Sequence, residues 1–291
     1  MHIIRKIIAA FCLSAFVVSA TAQNADSAAV ETVRPVLSAY GVEAGSAHLA
    51  DTYLTPLHYN GWHTALTYER MQAMGFAPEN WVMQLSARIS FDGTQNRARN
   101  ADMYNLEAEG AWTMMRRWRN PWNLSSLTLA VGPGTSLRGG CLYLSRNGNN
   151  PASAKGAWTV NAHAMAAYNL RLGRLPVTLR YEAMLPVTGA FFAPEYGQLY
   201  YEIWLGERKG LCQAAWFGNY FRLVNHVTAD LRLGSTTLRL GYHNDIISTK
   251  VHDIVSRRTT HAFSLAIVTE WISLDRGRRA AADARFISAL Y

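Results

Sequence analysis

The chain has 291 residues, a formal net charge of +8 and only 16% charged residues, where about 25% is usual for soluble domains. Beyond the N-terminus, no stretch reaches the roughly eighteen consecutive apolar residues of a membrane-spanning helix, and 3 cysteines are too few for a disulfide framework. These features exclude a helical membrane protein and a disulfide-stapled domain. Nothing beyond the positive charge supports nucleic-acid binding.

The N-terminus has the three parts of an export signal. Arg5 and Lys6 precede an apolar run at 7–20, and Ala20-Thr21-Ala22 is a small-x-small cleavage site. We predict that residues 1–22 are a secretory signal peptide and that 23–37 form a periplasmic N-terminal segment. Cys141 and Cys212 remain in the exported chain, where they could pair.

The stretch "NWVMQLSARISF" at 80–91 alternates apolar and polar residues, which is typical of a strand with two different faces. Its apolar face carries Trp81, Met83, Leu85, Ile89 and Phe91, its polar face carries Gln84, Ser86, Arg88 and Ser90, and only Val82 departs. Similar patterns predict twelve strands at 38–49, 60–71, 81–91, 103–115, 125–138, 157–171, 176–186, 198–206, 211–218, 221–233, 236–247 and 259–272.

The connections between these predicted strands differ in length. Longer polar ones lie at 50–59, 92–102, 139–156, 187–197 and 248–258, and mostly shorter ones at 72–80, 116–124, 172–175, 207–210 and 234–235. Outer-membrane barrels have short periplasmic turns and longer outer loops. An even number of strands also places both chain ends in the periplasm.

A soluble barrel or sandwich shows the same alternation, with its apolar face inward. A twelve-stranded lumen, however, is wider than apolar side chains usually fill. Charges lie at mid-strand on the polar faces, and Trp and Tyr gather near strand ends, as in an aromatic girdle. We therefore predict an all-β fold, a single up-and-down antiparallel transmembrane β-barrel at 38–272, located in the cell outer membrane and inserted by the barrel-assembly machinery. Leu85 should then face lipid and Arg88 the lumen.

Four stretches carry a resemblance to a known family: "DTYLTPLHYNGW" at 51–62, "YYEIWLG" at 200–206, "LRLGY" at 238–242 and "HAFSLAI" at 261–267. The chain resembles an uncharacterised outer-membrane β-barrel family of Bacteroides-type bacteria, known as a domain of unknown function. The resemblance extends over nearly the whole exported chain. It implies a barrel and supplies neither an activity nor functional residues.

The inward-facing charges are of mixed sign and are expected to pair, because an unpaired buried charge is costly. The predicted lumen network consists of Arg88, Glu107, Glu109, Arg180, Glu182, Asp230 and Arg239. Arg88 should meet Glu107 or Glu109 on the next strand. If Gly234 and Ser235 centre a tight turn, Asp230 faces Arg239 and His226 faces His243 within side-chain contact.

The histidine pair offers the most specific chemistry in the sequence. His226 and His243, with Asp245 one inward position further on, could bind Zn²⁺ or another divalent metal. They could also form a pH-sensitive element. The alternative is two histidines hydrogen-bonded into a polar lumen, with no metal or other cofactor.

Basic residues outside the strands suggest partners. Predicted outer-loop cations could neutralise lipopolysaccharide phosphates or could simply be solvated; they are Arg97, Arg99, Arg138, Arg146, Lys155, Lys250, Arg257 and Arg258. Arg117 and Arg119 fall in a predicted periplasmic turn. The basic tail at 273–291 is predicted to be periplasmic, and could be a plug, a short helix at the barrel mouth or a missed strand.

Catalysis has little support. No His-x-Ser motif of the kind found in lipid A deacylases occurs, and the predicted register puts His261 and Ser264 on opposite faces of one strand, which prevents a nucleophile–base contact. Three functions stay open: a narrow porin-like channel or plugged membrane scaffold, a barrel that binds or modifies lipid or lipopolysaccharide, and a subunit of an envelope complex that binds a partner through the tail.

Overall fold

The structure is a computed structural model that describes residues 32–148, 150–195, 198, 200–234, 236–272 and 284–291. The predicted signal peptide, most of the segment at 23–37, the turn residue Ser235 and part of the tail, 273–283, lie outside the described residues. The predicted domain limits at the N-terminus are therefore untested by the fold.

The described chain forms a barrel of long antiparallel strands. In chain order the strands are β1 (Thr32–Val33), β2 (Val36–Asp51), β3 (Thr55–Ala73), β4 (Trp81–Asn96), β5 (Asp102–Arg119), β6 (Leu127–Leu144), β7 (Ala152–Leu172), β8 (Leu175–Phe192), β9 (Cys212–Ala215), β10 (Tyr220–Leu233), β11 (Thr236–Val251), β12 (Ile254–Trp271) and β13 (Arg285–Phe286). Strand β12 pairs with β2, and β8 pairs with β10, which closes the barrel.

The closed barrel contains ten long strands, not twelve. The predicted strand at 198–206 is wrong: Tyr200–Leu205 forms a short helix, α1. The predicted strand at 211–218 reduces to β9, which pairs only with the end of β8. A short apolar run such as "YYEIWL" fits a helical period as well as a strand. No described helix has the length and apolar character needed to cross a membrane.

The two ends of the barrel differ in their connections. The terminal end, where β2 begins and β12 ends, carries 74–80, 120–126, 173–174 and the β10–β11 turn, and the opposite, distal end carries 52–54, 97–101, 145–151, 193–219 and 252–253. The predicted long outer loops are mostly wrong, because the strands continue into them. Only 193–219, which contains α1 and β9, is long.

The two faces of the strands are as predicted. On β4, Leu85 is 39% exposed and Ile89 is 56% exposed, whereas Gln84 and Ser90 are buried. Val82 is fully buried and belongs to an apolar layer inside the barrel. Exposed apolar side chains recur around the barrel, including Tyr40, Val42, Leu66, Leu106, Val131, Leu137, Leu179, Val227, Leu240, Phe263 and Ile267. Such a belt is the outer surface of a transmembrane β-barrel, which confirms the predicted fold class.

The described end of the tail packs inside the barrel, and we call residues 288–291 the plug. Ala289 and Leu290 are buried at the terminal end of the lumen, with Tyr291 packed beside them. They complete an apolar layer formed by Leu37, Ala39, Met71, Val82, Met115, Ala130, Met165, Ala167 and Val268. Just before the plug, β13 pairs in parallel with β1, so both described chain ends meet at the terminal end.

Candidate functional site

Strand parity places a dense ion network in the middle of the lumen. Its described members are six arginines and eight carboxylates: Arg88, Arg138, Arg180, Arg222, Arg239, Arg258, Glu43, Glu69, Asp92, Glu107, Glu109, Glu182, Asp230 and Asp245. Each is an inward-facing strand residue. Buried charges of this kind are tolerated only when paired and hydrogen-bonded.

The part of the network nearer the terminal end is built around Arg180 and Arg239. Arg239 Nε lies 2.6 Å from Asp230 Oδ1, the contact that the β10–β11 register predicts. Arg239 Nη1 also lies 3.2 Å from Glu69 Oε2. Arg180 Nη1 contacts Glu69 Oε1 at 2.7 Å and Glu182 Oε1 at 3.1 Å. The Glu69 carboxylate on β3 is therefore shared by arginines of β8 and β11, two strands that both neighbour β10.

The part nearer the distal end is built around Arg222 and Arg258. Arg222 donates to Glu109 Oε1 at 2.5 Å and to Asp245 Oδ1 at 3.0 Å. Arg258 Nη1 lies 3.2 Å from Glu107 Oε1 and 3.7 Å from Asp245 Oδ2. Asp245 is completely buried, so its charge is balanced by these two guanidinium groups.

The predicted contacts of Arg88 are wrong. Arg88 and Glu109 are opposed in the β4–β5 register, yet Arg88 Nη2 contacts Glu43 Oε2 on β2 at 2.7 Å. Glu109 pairs with Arg222, as shown above, and Glu107 pairs with Arg138 and Arg258. Long inward side chains converge on the axis of a narrow barrel, so a partner two strands away can be nearer than the ladder neighbour.

The histidine pair is present in the predicted register. His226 and His243 are opposed, with ring centroids 5.6 Å apart and planes nearly perpendicular. His243 Nδ1 lies 3.2 Å from Arg88 Nη2, and His226 Nε2 lies 3.5 Å from Ser264 Oγ. Asp245 accepts from Arg222 instead. Across the described ranges, no group of three or more His, Cys, Asp or Glu residues could hold a metal ion.

Sequence reasoning placed several network members elsewhere. Arg138 and Arg258 were predicted as outer-loop cations, but both are buried in the lumen. Glu43, Asp92 and Arg222 were not singled out at all. For Asp92, Arg138 and Arg258 the signal was present in the two-residue alternation, which continues through the distal ends of β4, β6 and β12, where polar residues resemble a loop. Arg117 is likewise a buried residue of β5 and not part of a turn.

Two arrangements resemble catalytic pairs. His63 Nδ1 lies 2.5 Å from Asp92 Oδ1, but both side chains are fully buried, so their contact is part of the network. On β12, His261 faces outward, where its ring meets Tyr242, and Ser264 lies on the opposite face near His226. His261 and Ser264 therefore lie on opposite faces of the strand, as predicted.

The two cysteines of the predicted exported chain, Cys141 and Cys212, are exposed and free.

Two cavities lie along the lumen. One lies among the network residues and is lined by Glu43, Glu69, Arg88, Glu109, His226 and His243, among others. A second lies toward the distal end, between the network and the distal connections. We call it the distal cavity; it is lined by Leu49, Tyr53, Glu107, Arg138, Leu142, Lys155, Ala157, Phe191, Ala193, Pro194, Tyr220, Ile247, Arg257 and Arg258, among others.

An apolar outer belt, a charged lumen and an internal plug together define a transmembrane β-barrel protein of the outer-membrane type. The chain belongs to a family described as a protein of unknown function, DUF3316, which matches residues 7–278. This confirms the predicted resemblance to a family of unknown function. No curated protein matches the chain.

Several solved barrels are similar to this chain. The transport unit of the autotransporter AIDA-I from Escherichia coli has 10% identity and a TM-score of 0.41, over 92% of this chain and 97% of that one. The outer membrane protease OmpT from Escherichia coli has 6% identity and a TM-score of 0.42, over 85% and 99%. The translocator domain of NalP from Neisseria meningitidis has 7% identity and a TM-score of 0.36, over 93% and 96%.

Proposed function

We propose that this protein is a plugged membrane scaffold, a barrel whose lumen is closed at the terminal end and which does not conduct ions. The observation that carries this proposal is the apolar layer that Ala289 and Leu290 complete inside the barrel. An ion crossing this layer would lose its hydration without gaining a polar partner, which is costly. Of the two hypotheses, the porin-like channel is therefore less well supported than the plugged scaffold.

Polar contacts hold the plug in place. Arg117 Nη1 donates to the carbonyl oxygens of Ser288 and Ala289 at 2.8 and 2.6 Å. The Tyr291 hydroxyl donates to Asp230 Oδ2 at 2.8 Å, and the Arg232 guanidinium lies 4.8 Å from the centroid of the Tyr291 ring. The plug is thus hydrogen-bonded both to Arg117 of β5 and to Asp230 of the ion network.

We place the barrel in the outer membrane of a Gram-negative, Bacteroides-type envelope, inserted by the barrel-assembly machinery. Supporting this are the signal sequence, the apolar belt and the meeting of both described chain ends at the terminal end, which would be periplasmic. Density separation of membranes should recover the protein with the outer membrane. Recovery in the soluble periplasmic fraction would contradict this placement.

A location in the outer membrane supports two proposed partners, lipid and lipopolysaccharide. The belt would contact lipid, and the distal cations that stay exposed could bind lipopolysaccharide phosphates; they are Arg97, Arg99, Arg146, Lys250 and Arg257. Residues 288–291 are committed to the plug. An envelope partner that bound this part of the tail would therefore have to displace the plug first.

Conductance tests the closed lumen. The full-length protein in planar bilayers is expected to give no discrete conductance steps, and the variant lacking residues 288–291 is expected to give them. Liposome flotation of both proteins shows that silence is not a failure to insert. Discrete steps from the full-length protein would overturn the closed lumen. A silent truncated variant would show that the plug is not the barrier.

A further inference from the structure

The distal cavity has the position and the lining of a small-molecule site. Its lining combines apolar and aromatic side chains with a few charged groups, as is usual for ligand pockets. Tyr53, Ala193 and Pro194, all from distal connections, contribute to its lining. The cavity therefore lies at the end of the barrel opposite the plug.

One side of the cavity is apolar. Phe191 and Tyr220 have ring centroids 5.1 Å apart, and both pack with Ile247 in a buried apolar cluster. Leu49 and Leu142 line the cavity as well. This wall would bury the apolar body of a ligand, which is the main source of affinity in such pockets.

The charged side of the cavity is positive. Among its described lining residues the only acid is Glu107, whereas the cations are Arg138, Lys155, Arg257 and Arg258. Lys155 already contacts Asp51 Oδ2 at 2.5 Å, and Arg258 contacts Asp92 Oδ2 at 2.8 Å. Arg138 and the exposed Arg257 then stand against Glu107 alone, a balance that favours an anion over a cation.

One guanidinium nitrogen of Arg138, Nη1, is unpaired. Its Nε donates to Glu107 Oε2 at 3.0 Å, and its Nη2 contacts the same oxygen. Its Nη1 is buried and has no hydrogen-bond partner among the described residues. The residue as a whole is also buried, with 7% of its surface exposed. A buried donor left unpaired is destabilising. A ligand oxygen in the cavity would remove that cost.

We propose that the distal cavity binds a monoanionic amphiphile, with its carboxylate on Arg138 Nη1 and its apolar body against Phe191, Tyr220 and Ile247. This goes beyond the plugged scaffold, which needs no ligand. It is also independent of it, because conductance tests the terminal end and ligand binding tests the distal end.

Binding of a matched pair of probes tests the charge requirement. With the full-length protein in lipid nanodiscs, calorimetric titration with 1-naphthoate is expected to show saturable binding at one site. The neutral 1-naphthalenemethanol has the same ring system and is expected to bind at least tenfold more weakly. No saturable naphthoate binding, or equal binding of both probes, would overturn the proposal.

Two variants locate the site. Arg138→Gln is expected to weaken naphthoate binding roughly tenfold, as expected for a lost charge-assisted hydrogen bond, whereas Arg146→Gln removes the same charge from an exposed distal connection and should leave binding unchanged. Equal effects of the two would contradict the site. Should Arg138→Gln fail to fold, Ala157→Phe fills the cavity and keeps the Arg138–Glu107 pair. Wild-type binding in Ala157→Phe would also overturn the proposal.

Discussion

The terminal and distal halves of the lumen are filled in opposite ways, although the same strands form both. At the terminal end, flexible methionines and the chain's own C-terminal residues pack into a closed apolar layer. At the distal end, aromatic and aliphatic residues form separate clusters and leave a cavity bordered by cations. Inward parity therefore decides only where a side chain points. Whether the space is filled depends on segments from outside the strands.

The largest expected difference between the two halves comes from placing the same acid in each of them. Val82→Glu puts a carboxyl into the apolar layer, where burial can cost three to five pKa units, or about 4–7 kcal/mol of unfolding free energy. Ala157→Glu puts it directly opposite Arg138 in the β6–β7 register, and a change within about 1 kcal/mol is expected. Denaturant unfolding in lipid measures both. Similar losses in the two variants would contradict the contrast.

The network between the two halves should depend on pairing, not on charge as such. Arg239→Met leaves the buried Asp230 without its main partner, and a loss of about 3–5 kcal/mol is expected. Adding Asp230→Leu removes the orphaned carboxylate and should recover most of that loss, because Glu69 keeps its contact with Arg180. The same unfolding measurement applies to both variants. A double variant as unstable as the single one would show that the pair itself stabilises the barrel.

Loosening the plug without deleting it gives a smaller effect. Arg117→Ala removes hydrogen bonds to Ser288 and Ala289, and a loss of about 1–3 kcal/mol of local stability is expected. Faster digestion of the C-terminus by carboxypeptidase would report it. The matched Arg116→Ala variant changes a neighbouring residue on the opposite, outward parity of β5 and should digest like the wild type. Equal digestion rates for all three proteins would show that Arg117 does not hold the plug.

The smallest effect concerns the helix at the distal end. The Tyr200 hydroxyl accepts a hydrogen bond from the Ala154 backbone N–H at 2.5 Å, and burial raises the pKa of Tyr200 from 10 to about 12. The stability that comes from burying the neutral Tyr200 hydroxyl is therefore fully present below pH 10 and is lost as the pH rises toward 12. A tyrosinate absorbance titration should lose one late-titrating group in Tyr200→Phe. An unchanged titration curve would refute the shift.

Much of the barrel was predictable from local pattern. The two-residue alternation gave the faces of β4, β7, β8, β11 and β12, and the tight turn after β10 gave the opposition of Asp230 with Arg239 and of His226 with His243. These features depend only on strand geometry and register. They require no knowledge of how distant strands meet.

The remaining features depended on contacts that no local pattern contains. "DGTQN" at 92–96 resembles a loop, because inward polar residues such as Asp92 and Asn96 are stabilised only by a charged lumen. Arg258 was misplaced for the same reason, since its partner Asp92 lies on another part of the barrel. The contact between Arg88 and Glu43 is a property of the closed cross-section.

The sequence separation of the network pairs sets the order of assembly. Arg180 and Glu69 are 111 residues apart, Arg222 and Glu109 are 113 apart, and Arg239 and Glu69 are 170 apart. Such pairs cannot form on a partly built sheet, since loop closure must precede the contacts that reward it. Until the last strand meets the first, these cross-barrel contacts are missing, although pairs within a hairpin such as Arg239–Asp230 can already form. Neutralisation of the lumen is thus completed only when the barrel closes, and an open sheet keeps part of the charge that bars it from the bilayer.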